Sequence, residues 1–283
     1  MKNNFAAFIL THGRPDKVHT YRSLKRQGYS GRIIILIDNE DKSRSEYEKK
    51  FKGEVIVFDK VAISQTFDEG DNFGDRRSIV YARNACFEIA KQLGIKYFIQ
   101  LDDDYQDFRY RNDSKNKYCD KTNISNLDGI FDVMVDFLDQ TKSKTVAMAQ
   151  NGDFIGGKDG SKAKKLKPWR KAMNTFVCCS DRPFQFFGRI NEDVNLYSCG
   201  GRRGDLFFTI PNVAIQQKQT QSNAGGMTEL YLESGTYVKS FYSVMYAPSC
   251  VKIVDMGPVF RRMHHRVSWK HTTPCILDES FKK

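Results

Sequence analysis

The sequence lacks any uninterrupted apolar run of the roughly 18 residues that a transmembrane helix requires. The residues Met1–Asn4 lead into only a short apolar run, so no secretory signal is expected. The seven cysteines form no CxxC pair, which argues against a zinc ribbon or a disulfide framework. We therefore expect free thiols and a location in the reducing cytoplasm, without a membrane.

Acidic residues are the minority among the charged side chains. Lys and Arg number 45 against 34 Asp and Glu, which gives a net charge of +11. This excess favours a polyanionic partner such as nucleic acid, although many soluble proteins are basic for other reasons. The 283 residues, 40% of them hydrophobic, predict one large α/β domain with an elaborated C-terminal part.

The first 150 residues alternate between strand and helix patterns. Strands are predicted at Phe5–Leu10, Arg32–Ile37, Glu54–Phe58, Lys96–Leu101 and Thr145–Ala149, and helices at Asp16–Gln27, Ser45–Phe51, Asp75–Leu93 and Asp128–Leu138. Continuous apolar strands with intervening helices indicate a mostly parallel sheet covered on both faces. Because ligands bind such sheets beyond the carboxyl ends of the strands, Arg14, Asp38 and Asp102 should line one crevice.

Three consecutive aspartates, Asp102, Asp103 and Asp104, close the fourth strand pattern. Adjacent carboxylates repel one another, and a shared divalent cation resolves the conflict. Hard oxygen ligands suit Mg²⁺ or Mn²⁺, which also hold substrate phosphates. The outer pair, Asp102 and Asp104, is the predicted metal grip of a D-x-D arrangement. The alternative is an acidic turn exposed to solvent.

Two further groups are candidates for chemistry. Arg83 lies in the helix before the aspartates and is predicted to reach a diphosphate or a donor sugar, unless it merely faces solvent. Glu192 and Asp193 follow an aromatic stretch, and we predict Asp193 as a general base with Glu192 beside it. The same pair also fits the acidic first turn of a helix.

The C-terminal part holds three of the five histidines, within Arg261–His271. Imidazole can complete a Mn²⁺ shell, and His265 is the preferred third ligand. The alternative is that these basic residues contact an anion. We predict loops at Tyr105–Asn123, Phe154–Lys171 and Gly200–Gly204, where basic residues are interleaved with aromatics or glycines. The candidate nucleic-acid contacts in these loops are Arg109, Arg111, Lys164, Lys165, Arg170, Arg202 and Arg203.

In this order the motifs resemble the GT-A glycosyltransferases. The carriers are Thr11–Pro15, Asp38, Tyr81–Ala85, Phe98–Asp104 and Asn191–Asp193. More narrowly, the chain resembles the phage TET-associated DNA glycosyltransferases, which attach sugars to 5-hydroxymethylpyrimidines in DNA. The carriers of this resemblance are Thr11–Pro15, Leu101–Tyr105, Asn191–Val194 and the stretch from His264 to Trp269 that runs on to Pro274. The resemblance spans nearly the whole chain.

The resemblance implies a single domain over residues 1–283, with a nucleotide-sugar half at 1–123 and an acceptor half at 124–283. It implies a UDP-sugar donor, with glucose as the default, held by Mn²⁺ or Mg²⁺ and by Thr11, Arg14, Asp38, Arg83, Asp102 and Asp103. The implied acceptor is DNA that carries 5-hydroxymethylpyrimidines, in the cytoplasm of a phage-infected bacterium. The resemblance also implies a single displacement that inverts the anomeric configuration, with Asp193 as the general base. The sequence leaves the oligomeric state open.

Three rival functions stay open from the residues. A glycosyltransferase of the same fold could act on a glycan or a lipid-linked sugar, in which case the basic charge is incidental. A nucleotidyltransferase is disfavoured because Thr11–Pro15 holds too little glycine for a phosphate loop. A catalytically inactive nucleic-acid-binding module would have no reason to keep three adjacent aspartates.

Overall fold

Ten strands and eight α-helices form within residues 4–160, 163, 167–217, 227–235, 237–256, 262–272 and 279, which the computed structural model describes. The strands are β1 (Phe5–Leu10), β2 (Arg32–Asp38), β3 (Val55–Phe58), β4 (Tyr97–Asp102), β5 (Tyr105–Tyr110), β6 (Thr145–Gln150), β7 (Phe176–Cys179), β8 (Phe207–Gln217), β9 (Val251–Met256) and β10 (Arg262–Val267). The helices are α1 (His19–Arg26), α2 (Arg44–Phe51), α3 (Lys60–Ser64), α4 (Val80–Gln92), α5 (Leu127–Thr141), α6 (Glu192–Arg203), α7 (Met227–Ser234) and α8 (Val238–Tyr246).

Strands β1 to β8 form one mixed sheet in the order β3-β2-β1-β4-β7-β6-β8-β5. The pairings β3-β2, β2-β1, β1-β4 and β6-β8 are parallel, and the other three are antiparallel. The predicted α/β fold class, a mostly parallel sheet flanked by helices, is therefore confirmed. Strands β9 and β10 form a separate antiparallel ribbon.

The position of β1 in the sheet explains why its sequence is apolar throughout. Phe5, Ala7 and Ile9 face a cluster that includes side chains of α1, α2 and α5. The alternate residues Ala6, Phe8 and Leu10 face side chains of α4 and α6. Since both faces are covered, no polar alternation is required. Phe8 meets Phe98 of β4 edge to face at 5.3 Å. Truncation of such a buried ring to alanine costs about 3–5 kcal/mol.

Two segments differ from their predicted state. The polar stretch Tyr105–Asn123 is predicted as a loop, and this prediction is wrong for β5, where Tyr105 and Phe108 are fully buried. The register of β5 shifts between Tyr105 and Asp107, so these two rings are three positions apart. The predicted loop at Gly200–Gly204 is wrong as well, since α6 extends to Arg203. A Cβ on Gly200 would lie 2.7 Å from the Phe207 ring, so glycine serves close packing there.

The parallel strands bring the candidate residues to one edge of the sheet. Leu10 at the end of β1 lies opposite both Leu36 of β2 and Asp102 of β4. The loop that follows β1 therefore lies beside the aspartates, as the position of parallel strand ends requires. No helix in the described part of the chain is long and apolar enough to cross a membrane.

Candidate active site

The three strand-end aspartates occupy three different environments. Asp102 ends β4, and its side chain is 23% exposed. Its Oδ1 accepts a hydrogen bond from Arg83 Nη2 at 3.1 Å, and burial raises its pKa while Arg83 opposes that rise. Of the three aspartates, Asp102 is thus the one that pairs with the buried Arg83 side chain.

Asp103 is buried and is fully engaged with the loop that follows β1. Its Oδ2 accepts from Thr11 Oγ1 at 2.6 Å and from Arg14 Nε at 3.0 Å, and its Oδ1 accepts from Arg14 Nη2 at 3.0 Å. The Arg14 backbone N–H donates to the Tyr47 hydroxyl at 2.8 Å. Asp103 therefore holds the β1 loop in place. Donor binding by Thr11, Arg14 and Asp103 stays a prediction.

Asp104 has a carboxylate oxygen that is not satisfied by the rest of the fold. Its Oδ1 is buried, and no donor among the described residues bonds to it. Burial, together with the charges of Asp102 and Asp103, raises its pKa to about 7. A carboxylate in such a setting is stabilised by any cation that binds it.

A divalent metal fits this arrangement through two carboxylates. Mg²⁺ is usually bound in proteins by one or two carboxylates together with substrate phosphates, and Asp102 and Asp104 supply such a pair. Among the described residues, no group of three or more Asp, Glu, His or Cys side chains forms a preassembled metal site. Metal binding by Asp102 and Asp104, and by any third ligand from the chain, therefore stays a prediction.

Arg83 links the aspartates to a second acidic motif. Its side chain is 2% exposed, and its Nε donates to Glu192 Oε1 at 3.0 Å while Nη2 donates to Asp102. The guanidinium lies 4.6 Å from the Phe176 ring centre and 5.8 Å from that of Phe186. The described contacts give Arg83 a bridging position between two carboxylates. Its predicted contact with a diphosphate or a donor sugar stays a prediction.

Glu192 and Asp193 form the first turn of α6, as the helix-start reading predicted. Both are buried at 8% exposure. Burial and the neighbouring Asp193 raise the pKa of Glu192 to about 7, and burial also raises the pKa of Asp193. Asp193 Oδ1 accepts from the Val194 N–H at 2.7 Å. Unlike Glu192, Asp193 has no ion pair with Arg83 among the described contacts.

His265 lies next to this helix start. Its Nδ1 is 3.4 Å from Asn191 Nδ2, and Asn191 immediately precedes Glu192. Burial and the proximity of His264 lower the pKa of His265 to about 3, so the ring is neutral at physiological pH. The described contacts of His265 are therefore with the α6 start, and metal ligation stays a prediction.

A second polar cluster surrounds Asp38 at the end of β2. Asp38 Oδ2 accepts from buried Lys60 Nζ at 3.2 Å and lies 2.7 Å from His12 Nδ1. The Gly13 N–H donates to Asp41 Oδ2 at 2.7 Å. Sequence reasoning identified Asp38 but missed His12, Lys60 and Asp41. His12 lies inside the Thr11–Pro15 motif, whereas nothing in the sequence marked Lys60.

Among the predicted nucleic-acid contacts, Arg109 and Arg111 differ in accessibility. Arg109 lies in β5 and donates to Asn123 Oδ1 at 3.1 Å from a partly exposed position. Arg111 is 4% exposed, bonds to Asn151 and packs 4.9 Å from the Phe154 ring centre. Arg111 thus packs inside the fold, and its contact with nucleic acid stays a prediction.

The other predicted contacts lie in the C-terminal half. Arg202 is partly exposed and is within 3.4 Å of the Tyr246 carbonyl oxygen, and Arg203 is exposed in the last turn of α6. Arg170 lies beside Tyr197 and Trp269. Lys164 and Lys165 fall outside the described residues.

The chain belongs to a known enzyme family. A family model described as TET-associated glycosyltransferase matches residues 5–226, which is most of the chain. The protein is therefore a glycosyltransferase of that family, as the resemblance in its motifs predicted. Among proteins of curated function, none matches the chain significantly.

Solved structures provide weaker likenesses. Glucosyl-3-phosphoglycerate synthase from Mycobacterium tuberculosis, in complex with Mg²⁺ and UDP, is 10% identical with a TM-score of 0.44, and the match covers 95% of this chain and 92% of that one. TarS from S. aureus is also 10% identical with a TM-score of 0.42, over 86% of this chain and 42% of that one. We draw no functional assignment from likenesses at this level.

Proposed function

We propose that this TET-associated glycosyltransferase moves a sugar, by default glucose, from a UDP-sugar to the hydroxymethyl group of 5-hydroxymethylpyrimidines in DNA. The observation that carries the proposal is the Arg83 bridge, which joins Asp102 at the β4 end to Glu192 at the α6 start at 3.1 and 3.0 Å. A D-x-D strand end and an acidic helix start thereby share one buried cation. This arrangement suits donor binding and base catalysis within one site.

The donor end of the site consists of the strand-end residues. Asp102 and Asp104 would hold a Mg²⁺ or Mn²⁺ ion, which neutralises charge on the departing diphosphate when bound. Asp103 fixes Arg14 and Thr11, so the loop after β1 keeps one conformation beside the diphosphate. The His12 ring is 49% exposed beside Asp38, which leaves its other edge accessible to a nucleotide.

The base in this proposal is Asp193. Its neighbour Glu192 is held by Arg83, whereas the one hydrogen bond of the Asp193 carboxylate among the described residues is from the backbone N–H of Val194 to Oδ1. Burial raises the pKa of Asp193, which strengthens it as a proton acceptor from an alcohol. Removal of the hydroxymethyl proton lets that oxygen attack the anomeric carbon as the diphosphate departs. A single displacement of this kind inverts the anomeric configuration.

The acceptor is the finer part of the proposal, and two observations support it. The family is named for its association with TET enzymes, and the net charge of +11 favours a phosphate backbone over a neutral glycan. Because the reactive hydroxyl lies on a base, the target nucleotide has to leave the duplex stack to reach a buried carboxylate.

The proposal is tested by transfer of radiolabelled sugar. The 283-residue protein is incubated with Mn²⁺, a panel of labelled UDP-sugars and three duplexes of one sequence. One duplex is unmodified, one has 5-hydroxymethylcytosine in place of cytosine, and one has 5-hydroxymethyluracil in place of thymine. We expect label in precipitated DNA only for a hydroxymethylated duplex. Equal label in the unmodified duplex, or label that enters only added oligosaccharides, would overturn the proposed acceptor.

A further inference from the structure

The ribbon formed by β9 and β10 carries two positive side chains directly opposite each other. Lys252 pairs with Arg266 in the antiparallel register, and both side chains are exposed. Like charges at directly opposed positions destabilise a strand pair. Within the described ranges, neither side chain forms an ion pair with a carboxylate. Stability alone therefore does not account for this pairing.

The two faces of the ribbon have different surroundings. Because side chains alternate along a strand, Val267 and His265 lie on the face opposite to Arg266. Val267 packs against two clusters of buried residues, and His265 contacts Asn191 at the α6 start. The inner face, with His265 and Val267, thus packs against the rest of the protein. The outer face, with Lys252 and Arg266, is exposed to solvent.

The segment after the ribbon fixes its position along α6. Trp269 stacks on Tyr197 with ring centres 5.6 Å apart and planes 19° apart. A Cβ on Gly201 would lie 2.9 Å from the Thr272 carbonyl oxygen, so this glycine permits the close approach. The ribbon is therefore attached to the same helix whose first turn carries the proposed base.

We infer that the outer face of the β9–β10 ribbon, with Lys252 and Arg266 at its centre, binds the phosphate backbone of the acceptor duplex. The inference rests on the proposed function and adds a surface to it. A two-stranded ribbon has dimensions that a DNA groove admits, and paired cations release counterions from phosphates. The inner face, through His265 and Asn191, would then set the distance between the bound backbone and Asp193.

The test uses two double variants of equal net charge. Lys252→Gln/Arg266→Gln removes the ribbon pair, and Lys49→Gln/Lys91→Gln removes two exposed lysines on α2 and α4. The affinity of each variant for one hydroxymethylated duplex is measured by fluorescence anisotropy at several salt concentrations. We expect the ribbon variant to bind more weakly. The slope of log affinity against log salt concentration should be shallower by about 1.8, as expected for two lost phosphate contacts. The control should keep the wild-type slope.

Further measurements separate binding from folding. The ribbon variant should hydrolyse UDP-sugar at the wild-type rate, and its thermal midpoint should not fall, because two repelling charges are removed. The swap Lys252→Arg/Arg266→Lys should keep the wild-type slope. If the swap lost the slope, or if the ribbon variant matched the control, the inference would be overturned while the proposed function stood. A wild-type protein that neither binds nor modifies the duplex would overturn both.

Discussion

Arg83 Nε donates to Glu192 Oε1 at 3.0 Å, and this bond joins helix α4 to the first turn of α6. The same guanidinium donates to Asp102 and lies over the Phe176 ring. A buried cation between two carboxylates fixes both of them, so the strand end and the helix start cannot shift independently. We therefore regard Arg83 as a positioning residue of the site.

Loss of the Arg83 cation should destabilise the fold strongly. Arg83→Met leaves Asp102 and Glu192 without their common partner, and removal of one partner from a buried pair costs about 3–5 kcal/mol. Urea unfolding measures this loss. The double variant Arg83→Met/Glu192→Gln should recover part of it because one unpaired charge is gone. A single variant within about 1 kcal/mol of the wild type would contradict the bridge.

The two acidic residues of α6 should respond unequally in catalysis. Asp193→Asn should lower kcat about 10²–10⁴-fold with little change in the KM of the donor, as expected for loss of a general base. Glu192→Gln keeps a hydrogen-bond acceptor for Arg83 and should lower kcat less. Steady-state kinetics of transfer to hydroxymethylated DNA provides the comparison. The reverse order of effects would assign the base to Glu192.

Stability should depend on pH through Asp104. Its pKa is raised from 3.8 to about 7, so the folded state holds a proton that the unfolded state releases. The associated stability is present below pH 4 and is lost as the pH rises through 7. Asp104→Asn should therefore be more stable than the wild type at pH 8 without metal, by up to about 4 kcal/mol, and equal to it near pH 3.5.

Metal provides the control for that variant. Mn²⁺ should raise the thermal midpoint of the wild-type protein at pH 8, since it binds the folded state. The same addition should leave Asp104→Asn almost unchanged. An equal rise in both proteins would show that Asp104 is not a ligand.

Asp103 should contribute to stability because it holds the loop that follows β1. Asp103→Ala removes three hydrogen bonds from Thr11 and Arg14, and we expect a loss of about 2–4 kcal/mol together with a higher donor KM. Asp16→Ala is the matched control, because Asp16 is 89% exposed in its pair with Lys50 and such exposed pairs contribute little to stability. Equal losses in the two variants, measured by urea unfolding, would contradict the anchoring role.

The first half of the fold could be predicted from the sequence, whereas much of the second half could not. Strand β1 was predicted with its observed bounds because both of its faces are buried. Strand β5 was missed because its two fully buried rings, Tyr105 and Phe108, are three positions apart across a register shift and so lack the alternation typical of a strand. Glycine at 200 and 201 resembled a loop, although close packing against Phe207 and Thr272 explains it.

The candidate site could likewise be predicted only in part from the sequence. The D-x-D and acidic motifs were visible as local sequence patterns, and their individual roles stay predictions. The bridge between them was not visible, because Arg83 and Glu192 are 109 positions apart in the chain. The side-chain partners of Asp103 likewise depend on the packing of β1 against β4. Contacts of this kind arise only when the sheet has assembled.

The most direct test of the account is mass spectrometry of nucleosides from hydroxymethylated DNA that was incubated with UDP-glucose, Mn²⁺ and the protein. The account predicts a nucleoside heavier by one sugar residue with the wild-type protein and none with Asp193→Asn. Absence of any mass shift with every UDP-sugar tried, on both 5-hydroxymethylcytosine and 5-hydroxymethyluracil, would contradict it.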